Sequence, residues 1–136
     1  MTDPELLAKR LALIETGVRE LRELAKPEKI GTDLREARFV EHTLQIAIQA
    51  ALDTASHIVS DGHLGEPRTN RELFDLLQRA DWIDAELASA LRNMAGFRNI
   101  LVHGYDTVDL DIVRDVVECH LDDLLTFVAA VRRRLG

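Results

Sequence analysis

LREARFVEHTLQIAIQAALDTASHIVS, residues 34–60, is the longest and most apolar segment of the chain. Leu34, Val40, Leu44, Ala47, Ile48, Ala51, Leu52, Ala55, Ile58 and Val59 recur at intervals of three and four, the period of a helix rather than of a strand. Asp33, with Glu36 three residues on, reads as the cap that starts it. Apolar side chains cover most of its circumference, as in a helix buried within a bundle. What is left is a narrow polar stripe: Arg38, His42, Gln45, Gln49, Asp53 and Ser56. Amides and a histidine are the composition of a partly buried polar surface facing a groove or a partner helix. An ordinary exposed face is the other reading. His57, at the edge of the stripe, reads as a hydrogen-bonded structural histidine, and Asp53 as a carboxylate placed to orient a residue of the candidate site described below.

The same helical rhythm continues on both sides. Upstream, Asp3-Pro4 is an N-cap followed by proline at the first helical position. Leu6, Leu7, Leu11, Ile14, Val18, Leu21 and Leu24 carry a helix to about Lys26, where Pro27 breaks it. Downstream, the Gly- and Pro-containing stretch from Ser60 to Asn70 is a loop. Thr69 and Glu72 form a capping box for a short helix with Leu73, Phe74, Leu76 and Leu77 inside. Asp81 is expected to cap the next helix, with Trp82 as a packing staple at its entry and Ile83, Leu87, Leu91, Met94 and Ala95 on its inner side. Asp109 caps a last helix, stapled by Val108 and Val113, in which Ile112, Val116, Val117, His120, Leu121, Leu124, Leu125, Val128 and Val131 keep one unbroken rhythm. Cys119 and His120 read as structural, and Arg132, Arg133 and Arg134 complement that helix's C-terminus. The prediction is an all-α, up-and-down bundle of about five helices in one domain spanning residues 1–136.

Composition agrees. In 136 residues, 46% hydrophobic and 30% charged side chains describe a soluble globular chain, and 4% aromatics with three prolines suit helices better than sheets. No apolar run approaches the roughly 20 residues a membrane helix needs. Met1–Glu5 has neither the basic nor the apolar region of a secretion signal. Cys119 is the only cysteine, which excludes an internal disulfide and points to a reducing cytoplasm. His57, Asp61 and His63 match no metal-ligand spacing, and neither metal nor cofactor is expected. A net charge of −7 argues against a general nucleic-acid binder. It leaves room for a local cationic groove from Arg98, Arg92 and their dimer mates, or for an acidic surface that meets a basic protein.

One stretch carries more chemistry than packing requires: Arg98-Asn99-Ile100-Leu101-Val102-His103-Gly104-Tyr105. In a straight helix Arg98 and His103 stand about 140° apart around the axis. Gly104 after the apolar run reads as a glycine C-cap, ending the helix near Val102 or His103 and letting His103 and Tyr105 fold back toward Arg98. Arginine keeps its charge and can hold a phosphate with two parallel hydrogen bonds. Histidine titrates near neutrality and can take the proton of a ribose 2′-OH. Together they suit metal-free RNA cleavage, and a two-fold dimer would supply two histidines to a shared groove.

The stretch resembles the signature of HEPN-domain ribonucleases, and its Arg-x4-His-x-Tyr form resembles the HepT toxins. Leu91-Arg92-Asn93-Met94-Ala95-Gly96-Phe97, the chain length and the helix order resemble that family too. The resemblance implies an all-helical homodimer that cleaves RNA as the toxin of a toxin–antitoxin pair. It implies a MntA-type nucleotidyltransferase antitoxin as partner, in a hetero-oligomer that can exceed one copy of each. By residue, it makes Arg98 and His103 the catalytic pair, Asn99 their polar companion and Tyr105 the adenylylation site. Asp53 is then the carboxylate expected to orient His103 or Arg98. The alternative is a non-catalytic helical module that docks the nucleotidyltransferase.

Overall fold

The computed structural model describes residues 3–103 and 108–135, with the His103 side chain outside the description. Six α-helices occur among the described residues: α1 (Pro4–Leu24), α2 (Leu34–Asp61), α3 (Asn70–Arg79), α4 (Ala85–His103), α5 (Leu110–Cys119) and α6 (Leu121–Leu135). A 3-10 turn, Pro27–Lys29, joins α1 to α2, so Pro27 opens a tight connection as well as ending a helix. No strand occurs among the described residues.

The caps set the boundaries. Asp3 accepts from the Glu5 and Leu6 amides at the start of α1, and Asp33 from the Arg35 amide at the start of α2. At α3 the Thr69 hydroxyl accepts from the Glu72 amide, while Glu72 reaches back to the Arg68 amide at 2.7 Å. The cap of α4 differs from the expectation. Asp84, not Asp81, accepts the Leu87 amide at 2.8 Å. Asp81 has a left-handed backbone, φ 62°, and belongs to the turn that closes α3. Removing the Asp84 cap by Asp84→Ala is expected to cost about 1 kcal/mol, read as a lower urea midpoint at unchanged slope.

The last helix is also two rather than one. The Cys119–Leu121 junction turns the chain at His120, whose ring lies 3.1 Å from Asp115 and 3.5 Å from Asp123. Apolar rhythm does not register such a break, because both helices keep a buried side: Val113, Val116 and Val117 on α5, Leu121, Leu124, Phe127, Val128 and Val131 on α6. Ile112, expected inside, is 46% exposed.

Helix α1 runs antiparallel to both α2 and α6, as the cross-contacts show. Along α1 and α2, the Asp3 amide meets His57, Arg10 donates to the Asp53 carbonyl, and Gly17 faces Ala47. A Cβ at Gly17 would stand 3.1 Å from that of Ala47, so the closest approach of the two helices depends on a missing side chain. Gly17→Val is accordingly expected to force α1 outward and cost about 1–3 kcal/mol, seen as a lowered thermal midpoint. Along α1 and α6, Arg22 pairs with Asp122, and Arg132 holds Glu15 through two hydrogen bonds of 2.5 and 2.8 Å. The Arg132 hydrogen bond keeps the Glu15 carboxyl below its ordinary 4.5. The pair's contribution is therefore present above that ordinary value and lost as pH falls through the lowered one. Both side chains are largely exposed, so it amounts to less than about 1 kcal/mol.

The core these helices enclose is almost wholly aliphatic, with Phe74 of α3 set edge-on to Phe127 of α6 at 6.0 Å. Thr54, the one buried polar side chain among the described residues, donates to the Ala50 carbonyl one turn back. The arginines of the C-terminus do more than offset the helix dipole. Arg134 reaches the Ala80 and Asp81 carbonyls and lies over the Trp82 ring at 4.9 Å, tying the end of α6 to the α3–α4 turn.

Candidate ribonuclease site

Arg98, Asn99 and His103 lie in the last described turns of α4, the helix expected to carry them. Its buried positions, Leu87, Leu91, Met94, Ala95 and Leu101, place Arg98 on the inward side by helical period. The consequence is visible in the side chain. Arg98 is half-buried, and its Nε is sealed from solvent without a hydrogen-bond partner among the described residues. The far end of the guanidinium turns outward instead, with Nη1 donating to Asn99 Oδ1 at 3.3 Å. Asn99 itself is exposed. An arginine whose stem is packed and whose tip is held by a neighbouring amide is a cation fixed in direction, with donors left for an anion.

The helix is described as far as His103. Gly104 and Tyr105, and with them the expected glycine cap and the return of the chain toward Arg98, lie outside the described residues, as does the His103 side chain. By backbone position alone, His103 is five residues beyond Arg98 on a continuous helix, so the two Cα atoms are separated by about 140° around the axis.

Asp53 is placed elsewhere. Its Oδ1 accepts from Gln49 at 2.8 Å, one turn back on α2, and its backbone carbonyl binds Arg10 of α1. Among the described residues it makes no ion pair or hydrogen bond with Arg98. The polar stripe of α2 divides as well: Arg38, His42 and Ser56 are exposed, while Gln45, Gln49 and Asp53 are half-buried. Arg92, expected to lend a free cation, is instead paired with Asp75 of α3 at 2.7 Å. His57 lies 3.2 Å from Asp61 and 3.4 Å from the Asp3 amide, joining the end of α2 to the start of α1. Among the described residues no three histidine, cysteine or acidic side chains gather as a metal site would require.

On the other flank of α4 a groove of 870 Å³ opens between α4, α5 and α6. Its floor is apolar, with Leu87, Met94, Phe97 and Val116, and its rim is acidic, with Asp84, Glu86, Asp115 and Asp123. Cys119 is nearby and exposed. Its thiol is pushed up by desolvation and by the hydrogen bond and charge of Asp115. It is therefore expected to react with iodoacetamide at pH 7.5 more slowly than glutathione does, because less of it is thiolate.

A six-helix bundle that carries Arg, a polar residue and then His at the end of one helix defines the HEPN class of domain. Residues 14–131 match the model of the family described as HepT-like, ribonuclease HepT-like, and the chain belongs to that family. It is 30% identical over 129 residues to the mRNA nuclease HepT of Shewanella oneidensis, covering 94% of this chain and 97% of that one. It is 36% identical over 112 residues to the tRNA nuclease HepT of Aphanizomenon flos-aquae, covering 79% and 74%. The fold matches the tri-AMPylated HEPN toxin of Shewanella oneidensis solved in complex with its MNT antitoxin, at TM-score 0.89 and 30% identity, over 96% of this chain and 99% of that one. The cytosolic protein YutE of Bacillus subtilis shares the fold at TM-score 0.89 and 16% identity.

Proposed function

We propose that Arg98 and His103 are the catalytic pair of this chain, an endoribonuclease and the toxin of a toxin–antitoxin system partnered by a MntA-like nucleotidyltransferase antitoxin. The observation that carries the assignment is the guanidinium of Arg98, packed at its stem and steered outward by Asn99 at the end of α4, in a chain of the ribonuclease HepT-like family. A ribose 2′-oxygen attacks the adjacent phosphorus as its proton passes to a base. The P–O5′ bond breaks, and the leaving oxygen takes a proton, giving a 2′,3′-cyclic phosphate and a 5′-hydroxyl. Arg98 neutralises the charge that builds on the non-bridging oxygens, His103 handles a proton, and Asn99 holds Arg98 in direction. No metal enters these steps. Because one chain supplies one such histidine, the working unit is a two-fold homodimer in which two protomers bring their α4 ends together. The protein acts in the cytoplasm.

Tyr105 is the site of control. Its phenolate attacks the α-phosphorus of ATP held by the antitoxin, pyrophosphate leaves, and an adenylyl group remains on the ring oxygen. That group adds bulk and negative charge two residues from His103 and excludes RNA by both. The AMPylated state of the Shewanella oneidensis HEPN toxin supports this reading.

The test is direct. The purified protein incubated with total RNA in EDTA should yield fragments ending in cyclic phosphate. With the cognate transferase and MgATP its mass should rise by adenylyl increments on Tyr105 and cleavage should stop, while Tyr105→Phe stays active and unmodified. RNA left intact by the wild type, with the transferase still bound, would instead favour a non-catalytic docking module.

A further inference from the structure

The two flanks of α4 differ in charge, and the difference indicates the path of the RNA strand. The α5–α6 flank is the apolar groove with the acidic rim, which repels a phosphate backbone. The α3 flank is the opposite. Asp75, the acid four residues after Arg71 and its natural helical partner, is taken by Arg92 at 2.7 Å. Glu72 is turned back to the Arg68 amide. Arg71 is exposed, and its guanidinium lies on α4 at Gly96: a Cβ there would meet Arg71 Nη1 at 3.8 Å. Among the described residues Arg71 makes no ion pair. Asp75 beside Arg92 and Arg71 beside Gly96 set one antiparallel register, and Arg68, exposed, stands in the bend just before the Thr69 cap of α3. From Gly96 to Asn99 the helix rises about 4.5 Å.

We propose that Arg71, laid on α4 at Gly96 and continued by Arg68 in the loop before α3, holds an RNA phosphate next to the scissile one and leads the strand to Arg98 and Asn99. Its occupant is single-stranded RNA, bound through its backbone and without regard to base. The family and the charge of Arg98 leave this flank unassigned. The proposal rests on the reading of Arg98 as the cleaving cation, but its readout is binding and does not require cleavage. A cationic track on one flank also reconciles RNA as substrate with a net charge of −7, since phosphate contacts are local and only their number sets the salt dependence.

The experiment measures binding of a fluorescent single-stranded RNA of about 12 nucleotides, 2′-O-methylated throughout so that it cannot be cut, against salt concentration. Arg71→Gln should weaken binding about five- to tenfold and lower the log–log salt slope by about 0.7, the loss of one single-strand phosphate contact. Arg71→Lys should restore the slope. Arg133→Gln, which removes the same charge from the far end of α6, should change neither. On cleavable RNA, Arg71→Gln should raise KM and leave kcat within about twofold, because a contact made equally before and during reaction acts as uniform binding. A slope unchanged by Arg71→Gln, a loss matched by Arg133→Gln, or no binding of the probe by the wild type would overturn the assignment. Arg98→Ala, measured in parallel, separates the two readings. Wild-type cleavage by that variant would remove the catalytic centre and with it the role of the track in the reaction, while the salt slope would still report whether Arg71 holds phosphate.

Discussion

Arg98→Ala is expected to slow RNA cleavage about a thousandfold under single-turnover conditions, close to 4 kcal/mol of transition-state stabilisation. The estimate follows from what the side chain contributes. Removing one preorganised donor to a developing oxyanion typically costs 10²–10³, and here a full charge goes with it. Arg98 is also prepared in advance: its Nε is buried, and its outer nitrogen is held by Asn99 at 3.3 Å. Lysine in its place keeps the charge but loses the planar fork and the contact with Asn99, so Arg98→Lys should recover only part of the rate. His103→Ala should cost about 10²–10⁴. The double variant should be little worse than the more damaged single one, because the two groups act in one transition state. Circular dichroism and the thermal midpoint decide whether a lost rate is chemical. Arg98 is half-buried at one helix end and not part of the aliphatic core, so its alanine variant should remain folded. A folded Arg98→Ala protein that cleaves at the wild-type rate would remove the proposed centre.

Phe127→Ala should have the largest effect on stability, about 3–5 kcal/mol. Phe127 is fully buried on α6 and stacks edge-on against Phe74 of α3. Truncation leaves a cavity between two helices that other residues hold in place. Val131 and Leu124 fix α6 on one side, Leu73 and Leu77 fix α3 on the other, and all four are buried, so collapse into the space is limited. For a chain of this length the loss corresponds to a fall in Tm of roughly 10–20 °C. Leu125→Ala, on the same helix but only partly buried, should cost clearly less. Equal losses for the two would mean that the Phe74–Phe127 contact is not the anchor that the packing indicates.

Much of this was readable before any coordinates. The caps Asp3, Asp33, Thr69 and Asp109 each accept an amide of the first helical turn, because capping is a local interaction between residues two or three apart, although Glu36 turns to the Lys26 amide rather than back to Asp33. The apolar rows of α1 and α2 are buried as their period implies. The failures share one cause. Asp81 and Asp84 are equally good caps by composition, and only the left-handed turn at Asp81, made when α3 closes against Trp82, selects the second. The break at His120 is silent in an apolar rhythm that both helices share. The Asp53 carboxylate accepts from Gln49 one turn back on α2, and its backbone carbonyl accepts from Arg10 of α1, contacts that the shared face of the stripe does not reveal.

The sequence by itself determined that this chain is helical, where most helices start, and that it holds an Arg-x4-His-x-Tyr stretch with an asparagine after the arginine, since each depends on spacing within a few turns. Only the tertiary structure decided that Arg92 is spent on Asp75 while Arg71 lies along α4, that the groove between α4, α5 and α6 has an acidic rim, and that Asp53 is bound by α1 and α2 residues rather than by Arg98. Those facts depend on which helix lies against which. That is set by the fit of whole surfaces, Gly17 against Ala47 and Phe74 against Phe127 among them, and no single segment contains it.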